Sequence, residues 1–289
     1  MRYAALYGGG GPAEIPIRSM TTYLIHGMVA DWAPNLAACR LYVPTSALER
    51  HLRTAKPYVG WRASDPDGDV LTVDDATVAA AEACILARRL GHEVTLFVNP
   101  YHVETGTPYF FNTLGCYLDV RTRNAVQVGN EHCDLTSIAG MKRFWMAARK
   151  MLMVLPPEDT VTVLADLARR LGSGNPPLPS FARPLRSKDL KHLAELGVRI
   201  ENHGWSHQAV DTMGDAVFNE DLTKSRRWLR ENLGITSQLY AVPFGCPNLS
   251  PGKRDQVGDY LLADQNLPPG QLRAGGWNRI SLTIALQGS

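Results

Sequence analysis

The sequence predicts an α/β fold with mainly parallel strands. Three observations carry that reading. Short apolar runs alternate with longer helical patterns along the chain. Three of the predicted helices stop at or just before a glycine, at Gly91, Gly197 and Gly234, before a further apolar run begins. The segments that carry chemistry sit at the C-terminal ends of predicted strands, where parallel folds build their active sites.

Taken in order, residues 1–19 read as a flexible leader, with four glycines at 8–11. A single domain then spans 20–289. Its first strand is Thr22–Ile25, followed by a helix over Thr45–Arg53. Asp69–Val73 is the second strand, and Thr77–Leu90 is a helix closed by Gly91. Val94–Val98 is a strand. Helical patterns dominate the next stretch, above all from Ser137 to Gly172, and about 101–186 reads as a helix-rich insertion between strands of one domain. Gly172–Pro184 holds four prolines and serves as a connection, because patterns of the same α/β kind resume after it. Ser187–Leu196 is helical, Val198–Glu201 a strand, Asn219–Asn232 helical, and Gln238–Val242 and Tyr260–Ala263 are strands. No repeat of 20–50 residues is evident.

Composition narrows the function. Apolar residues make up 45% of 289, enough for a sizeable core. Thirty basic and 28 acidic residues leave a net charge of +2, which gives no reason to expect a nucleic-acid partner. No apolar run is long enough for a signal peptide or a membrane span, so no membrane association is expected. Five scattered cysteines without a CxxC pair read as free thiols in a reducing compartment, and the protein reads as soluble and cytoplasmic.

Three segments stand out. Leu71-Thr72-Val73-Asp74-Asp75 ends a strand in two carboxylates, one of which can bind a metal while the other acts as general base. The same pair also reads as an acidic turn, with Asp75 capping the following helix. In Asn202-His203-Gly204-Trp205-Ser206-His207, two histidines four apart can converge on one cation, and a carboxylate would complete an open, catalytic His-His-Asp set. The plainer reading makes one histidine a buried hydrogen-bonding residue and the other a surface residue. Val242-Pro243-Phe244-Gly245 ends a strand in a turn whose backbone N–H can face an oxyanion; it also reads as an ordinary turn. Tyr101, Tyr109, Trp205 and Trp277 are candidate sugar-stacking walls, set against the ordinary role of aromatics in a core. His51, His92, His102, His132 and His192 read as structural or surface residues.

Together these segments resemble the polysaccharide deacetylase family, also called carbohydrate esterase family four or the NodB-homology domain. Thr72-Val73-Asp74-Asp75-Ala76 looks like its TFDDG motif, and His203–His207 looks like H-[ST]-x-x-H. Ala241–Gly245 looks like its RPPYG or YPFG motif. Further similarity runs through Thr95–Pro100, Ser187–Glu201, Asp221–Gly234 and Gly276–Leu282, so it extends from about Thr21 to Ile284. The resemblance implies a distorted (β/α) barrel of about seven strands. It implies Asp75, His203 and His207 as ligands of a divalent metal, most simply zinc, Asp74 as general base, and the Phe244 amide as an oxyanion donor. In the subgroup with a YHRV-like first strand the general acid is a histidine of that strand; the matching residue is His26. Trp205, Tyr101 and Trp277 remain the substrate-binding candidates. Gly27, Ala76 and Gly204 depart from the family pattern. Ala241 stands where the third motif has arginine, which leaves Asp74 without that partner.

The expected activity is metal-dependent de-N-acylation of an N-acetylated amino sugar or a related small-molecule intermediate. Deacetylation of an N-acetylglucosamine polysaccharide is the alternative, and a non-catalytic sugar-binding homologue the third reading. Oligomeric state is not legible in the sequence.

Overall fold

The structure is a computed structural model that describes residues 20–30, 41–61, 68–245, 249–263, 270–271 and 276–287. The leader at 1–19 lies outside the described residues, as do Cys39 and Cys246; Cys84, Cys116 and Cys133 are free and buried.

Seven strands run parallel: β1 (Thr22–Ile25), β2 (Val70–Asp74), β3 (Thr95–Val98), β4 (Arg199–Asn202), β5 (Leu239–Ala241), β6 (Asp259–Leu262) and β7 (Trp277–Ser281). Each pairs with its successor, and β7 returns to β1 with Thr22 opposite Arg279. The barrel is therefore closed, as the family resemblance implied. A short antiparallel segment, Gly270–Gln271, pairs onto β7.

Alternate strand residues feed two separate cores. Leu71, Val73, Leu96, Val98 and Ile200 pack beneath the outer helices. Val70, Phe97, Leu239, Ala241, Leu261 and Trp277 form the barrel-interior cluster. With both faces covered, β2 is buried at every position and reads as a continuous apolar run that ends in a carboxylate.

Helix α1 (Thr45–Thr54) follows β1, and α2 (Val78–Arg89) follows β2. Thr77 caps α2, accepting from the Ala80 amide at 3.2 Å. That cap is not Asp75, so the acidic-turn reading loses its capping role.

The stretch between β3 and β4 folds around its own core, which includes Leu114, Phe144, Ala148 and Leu171. It holds α3 (Pro100–Thr105), α4 (Phe110–Asp119), a hairpin of Ala125–Val128 with Glu131–Asp134, α5 (Ile138–Leu152) and α6 (Pro157–Leu171). The sequence reading separated out neither α4 nor the hairpin. α4 is buried at eight of ten positions, and the hairpin strands are only four residues long. α7 (Ser187–Glu195) and α8 (Asp215–Leu233) complete the outer layer. α8 begins four residues before the expected Asn219 and so brings Phe218 into a buried cluster. Among the described residues no helix is long and apolar enough to cross a membrane.

One buried carboxylate ties the barrel together away from the site. Glu201 of β4 accepts from Ser237 Oγ at 2.8 Å, Gln238 N at 2.9 Å and Leu239 N at 3.0 Å, and takes Arg199 Nε at 2.7 Å. Glu201→Ala strands these donors and is expected to cost roughly 3 kcal/mol. A urea midpoint unchanged from wild type would refute that assignment.

Candidate active site

Strand geometry turns Asp74 and Arg279 toward one another. Trp277 and Arg279 are two apart on β7 and share its inward face. Trp277 sits at the N-terminal end, edge-on to Trp61 with ring centres 6.2 Å apart. Arg279 reaches past the intervening β1 and grips Asp74 with both prongs, Nη1 to Oδ1 at 2.6 Å and Nη2 to Oδ2 at 2.7 Å. Its Nε donates to Leu262 O at 3.1 Å and Nη1 also donates to Thr72 Oγ1 at 3.2 Å. Ala241 does leave Asp74 without the third-motif arginine, and Arg279 of β7 supplies a basic partner in its place. Burial alone would raise the Asp74 carboxyl. The Arg279 charge, His203, the Arg279 hydrogen bonds and His26 outweigh it, and Asp74 is held below the usual carboxylate range.

Asp75 leaves the strand with φ 67°, and neither of its buried carboxylate oxygens has a hydrogen-bond partner. His207 Nε2 lies 3.3 Å and His203 Nε2 3.8 Å from Asp75 Oδ1. His203 Nδ1 lies 2.8 Å from Ala241 O. A carbonyl can only accept, so this contact assigns the proton to Nδ1 and leaves the Nε2 lone pair facing Asp75. Burial, then the Asp74 charge, pushes Asp75 well above its ordinary value. Burial lowers His203, and burial together with the neighbouring His203 lowers His207 far more. The result is an unpaired acid beside two neutral imidazoles, with ligand atoms within 4.8 Å of one another. That donor set suits a divalent cation, and its orphaned oxygens are otherwise a buried cost.

Among the described residues three non-glycines have positive φ: Asp75, His207 and Phe244. All three line the same cavity. Such strain persists where the surroundings over-determine it, and here the bracing is visible. Tyr109 Oη donates to Asn99 Oδ1 at 3.1 Å and accepts from Ala76 N at 3.0 Å. Asn99 Nδ2 donates to the carbonyls of His203 and Gly204. Asp221 of α8 accepts from Trp205 N at 2.8 Å; burial pushes its carboxyl up to about 6, against the pull of the Trp205 and Ser206 hydrogen bonds. Gly204 has φ 79°, and a Cβ there would meet Tyr240 Oη at 3.1 Å and Asp221 Oδ1 at 3.2 Å. Asp221 thus occupies the space of the hydroxyl side chain that the motif usually carries. A Cβ on Gly27 would lie 2.5 Å from the Ala79 carbonyl carbon, which accounts for the missing side chain after His26.

The cavity measures about 230 Å³. The barrel contributes His26, Asp74, Asp75, His203, His207 and Arg279; the insertion contributes Phe110, Phe111, Trp145 and Arg149; Phe244 lies between the two groups. The Phe244 ring is 4.5 Å from the His207 ring and 6.0 Å from that of Phe110. Burial pushes His26 down to about 4; Asp74 opposes this, while Arg279, His203 and Arg149 add to it.

The structure therefore gathers Asp74, Asp75, His203, His207, His26 and Phe244 in one place. It does not bring Trp205, Tyr101 or Trp277 to that cavity. Trp277 is at the opposite end of its strand, in the barrel core. Trp205 turns outward beneath Lys224, whose Nζ is 4.1 Å from the ring centre. Tyr101 packs on Trp205 and His102. Tyr109, 1% exposed, braces the loops and is not a wall of the cavity. Sequence reasoning missed Arg279, Asn99, Asp221, Phe110, Phe111, Trp145 and Arg149. Of these, Arg279 had a signal: a basic residue inside an otherwise apolar strand calls for a buried carboxylate.

A family model described as polysaccharide deacetylase matches residues 65–254. The match holds both carboxylates, both histidines and Phe244, and stops short of His26 and Arg279 at either end. The deacetylase PplD of Streptococcus pyogenes, solved in complex with acetate, superposes with a TM-score of 0.56 at 11% identity, over 91% of this chain and 92% of its own. IcaB from Ammonifex degensii superposes with a TM-score of 0.54 at 12% identity, over 93% and 97%. A polysaccharide deacetylase from Bacillus cereus gives 0.54 at 11% identity, over 91% and 65%. At such identities the likeness is one of fold. Curated proteins give no match.

Proposed function

The chain belongs to the polysaccharide deacetylase family, and we propose that it is a cation-dependent de-N-acylase, a hydrolase of a non-peptide carbon–nitrogen bond, acting on an N-acetylated amino sugar or a related small molecule. One observation carries the reading. An unpartnered Asp75 carboxyl converges with His203 and His207 beside an arginine-held Asp74 in a single cavity.

Asp75, His203 and His207 are the residues that would hold the cation, zinc in the simplest case. A cation there supplies a Lewis acid that polarises the amide carbonyl and makes water easier to deprotonate. The remaining work falls to the chain. Asp74, kept ionised and fixed by Arg279, takes the proton of the attacking water. The Phe244 amide, in its left-handed turn, donates to the oxyanion. His26 protonates the leaving amine. Because burial keeps His26 neutral at neutral pH, the proton it gives is one it receives during the reaction. Small size is favoured because the insertion walls the cavity with aromatics and its volume is below the roughly 300–1,000 Å³ of common ligand sites.

The test is metal content and acetate release, measured against N-acetylated sugars from monosaccharides to chitooligomers. Stoichiometric zinc and release that disappears in Asp74→Asn support the reading; preference for long oligomers would move the substrate to polymers. His207→Ala is expected to lose the cation, and full zinc content in that variant would refute the ligand set. Asp221→Ala loosens the turn between the two histidines and is expected to weaken zinc binding about 10–100-fold without unfolding the chain. Competition with a zinc-sensitive dye reads this directly, and an unchanged affinity would leave Asp221 with no positioning role.

A further inference from the structure

The cavity contains a positive charge that the reaction just described does not use. Arg149 lies in the last turn of α5, one turn after Trp145, so the two side chains share the helix face that looks into the cavity. Its guanidinium stands over the Phe244 ring, 5.0 Å from the centre. Among the described residues no carboxylate forms an ion pair with Arg149, and no acceptor takes a hydrogen bond from it. Neither carboxylate of the cavity pairs with Arg149: Asp74 is gripped by Arg279, and Asp75 faces the two histidines. Arg149 is therefore surplus positive charge, half-buried among aromatic rings.

A charge withdrawn from water is costly unless something pairs with it, and a guanidinium offers a planar fork for oxyanions. We propose that Arg149 is a specificity-determining residue that pairs with an anionic substituent, phosphate or carboxylate, on the substrate. The placement fits this role. α5 belongs to the insertion while the metal-type donors come from the barrel, so Arg149 can hold one part of the substrate while the amide lies at the barrel mouth. Phe110 and Trp145 supply apolar walls, which strengthen a charge-assisted hydrogen bond by excluding water. This proposal rests on the de-N-acylase reading for the identity of the site, but its test does not depend on turnover.

The measurement is calorimetric binding to the cation-free protein, so that a cation cannot supply the anion affinity. The probes are N-acetylglucosamine, N-acetylglucosamine 6-phosphate and N-acetylmuramic acid, which differ in carrying no charge, a phosphate or a carboxylate. Wild type is expected to bind at least one anionic probe about 10–100-fold more tightly than the neutral sugar. Arg149→Gln should remove that preference while leaving neutral-sugar binding unchanged, which also shows that the fold is intact. Arg149→Lys, which keeps the charge without the fork, should retain part of it. Comparison of the phosphate and carboxylate arms identifies the anion. Equal binding of neutral and anionic probes by wild type, failure of wild type to bind either anionic probe, or a preference that survives Arg149→Gln overturns the proposal. A preference that depends on Arg149, with no Asp74-dependent acetate release, would keep this anion site and discard the reaction.

Discussion

Asp74→Asn is expected to lower turnover about 10²–10⁴-fold while zinc binding persists. Asparagine is nearly isosteric and still offers one oxygen to Arg279, but it cannot take a proton from water. The donors proposed to hold the cation sit on other side chains, so zinc stoichiometry should hold at wild-type values. Some stability is lost, because Arg279 now faces a neutral partner inside the barrel. Acetate release should therefore be measured well below the unfolding transition, with the dye competition alongside. Residual activity within a factor of a few of wild type, with zinc bound, would remove Asp74 from the role of base. Loss of zinc together with activity would mean that Asp74 itself serves as a ligand.

The legibility of this chain follows its periodicities. β2 was readable because a largely apolar strand ends abruptly in Asp-Asp, and the end of β4 because two histidines four apart follow it directly. Closure of the barrel was not visible in any one strand; it came from the resemblance, since pairing of β7 with β1 joins residues more than 250 positions apart. Trp277 lies away from the cavity for a geometric reason. Trp277 is on the correct face of its strand but at the wrong end, and end is a property of barrel packing that composition does not report. Arg149 was hidden in another way: on α5 it stands among Lys142, Arg143 and Lys150, and a basic helix surface reads as a solvated face. Only the docking of the insertion turns one of those residues inward. Asn99 and Asp221 act through backbone atoms of the histidine loop, and such bonds have no signature in spacing.

Arg279→Met tests the other half of the Asp74 pair and should be as damaging as loss of the base. It leaves a buried carboxylate without its counter-charge, at an expected cost of about 3–5 kcal/mol at neutral pH. The pH dependence gives the mechanism away. In wild type Asp74 is depressed below its unfolded value, so it contributes stability above about pH 4, which is lost as pH falls through the folded value. Removing Arg279 takes away the largest influence that lowers Asp74 and leaves burial, which raises it. The sign then reverses: the variant gains from a protonated Asp74 at low pH and loses that gain as pH rises through the raised value. Urea midpoints of the two proteins should lie furthest apart near pH 7 and converge toward pH 4. The acid limb of the rate profile should move to higher pH, because the base must be ionised to work. Parallel midpoint curves would show that Arg279 contributes packing alone. Asp74→Asn combined with Arg279→Met supplies the closing check: with both charges gone, the double variant should be more stable than Arg279→Met at pH 7, since no unpaired ion remains in the barrel.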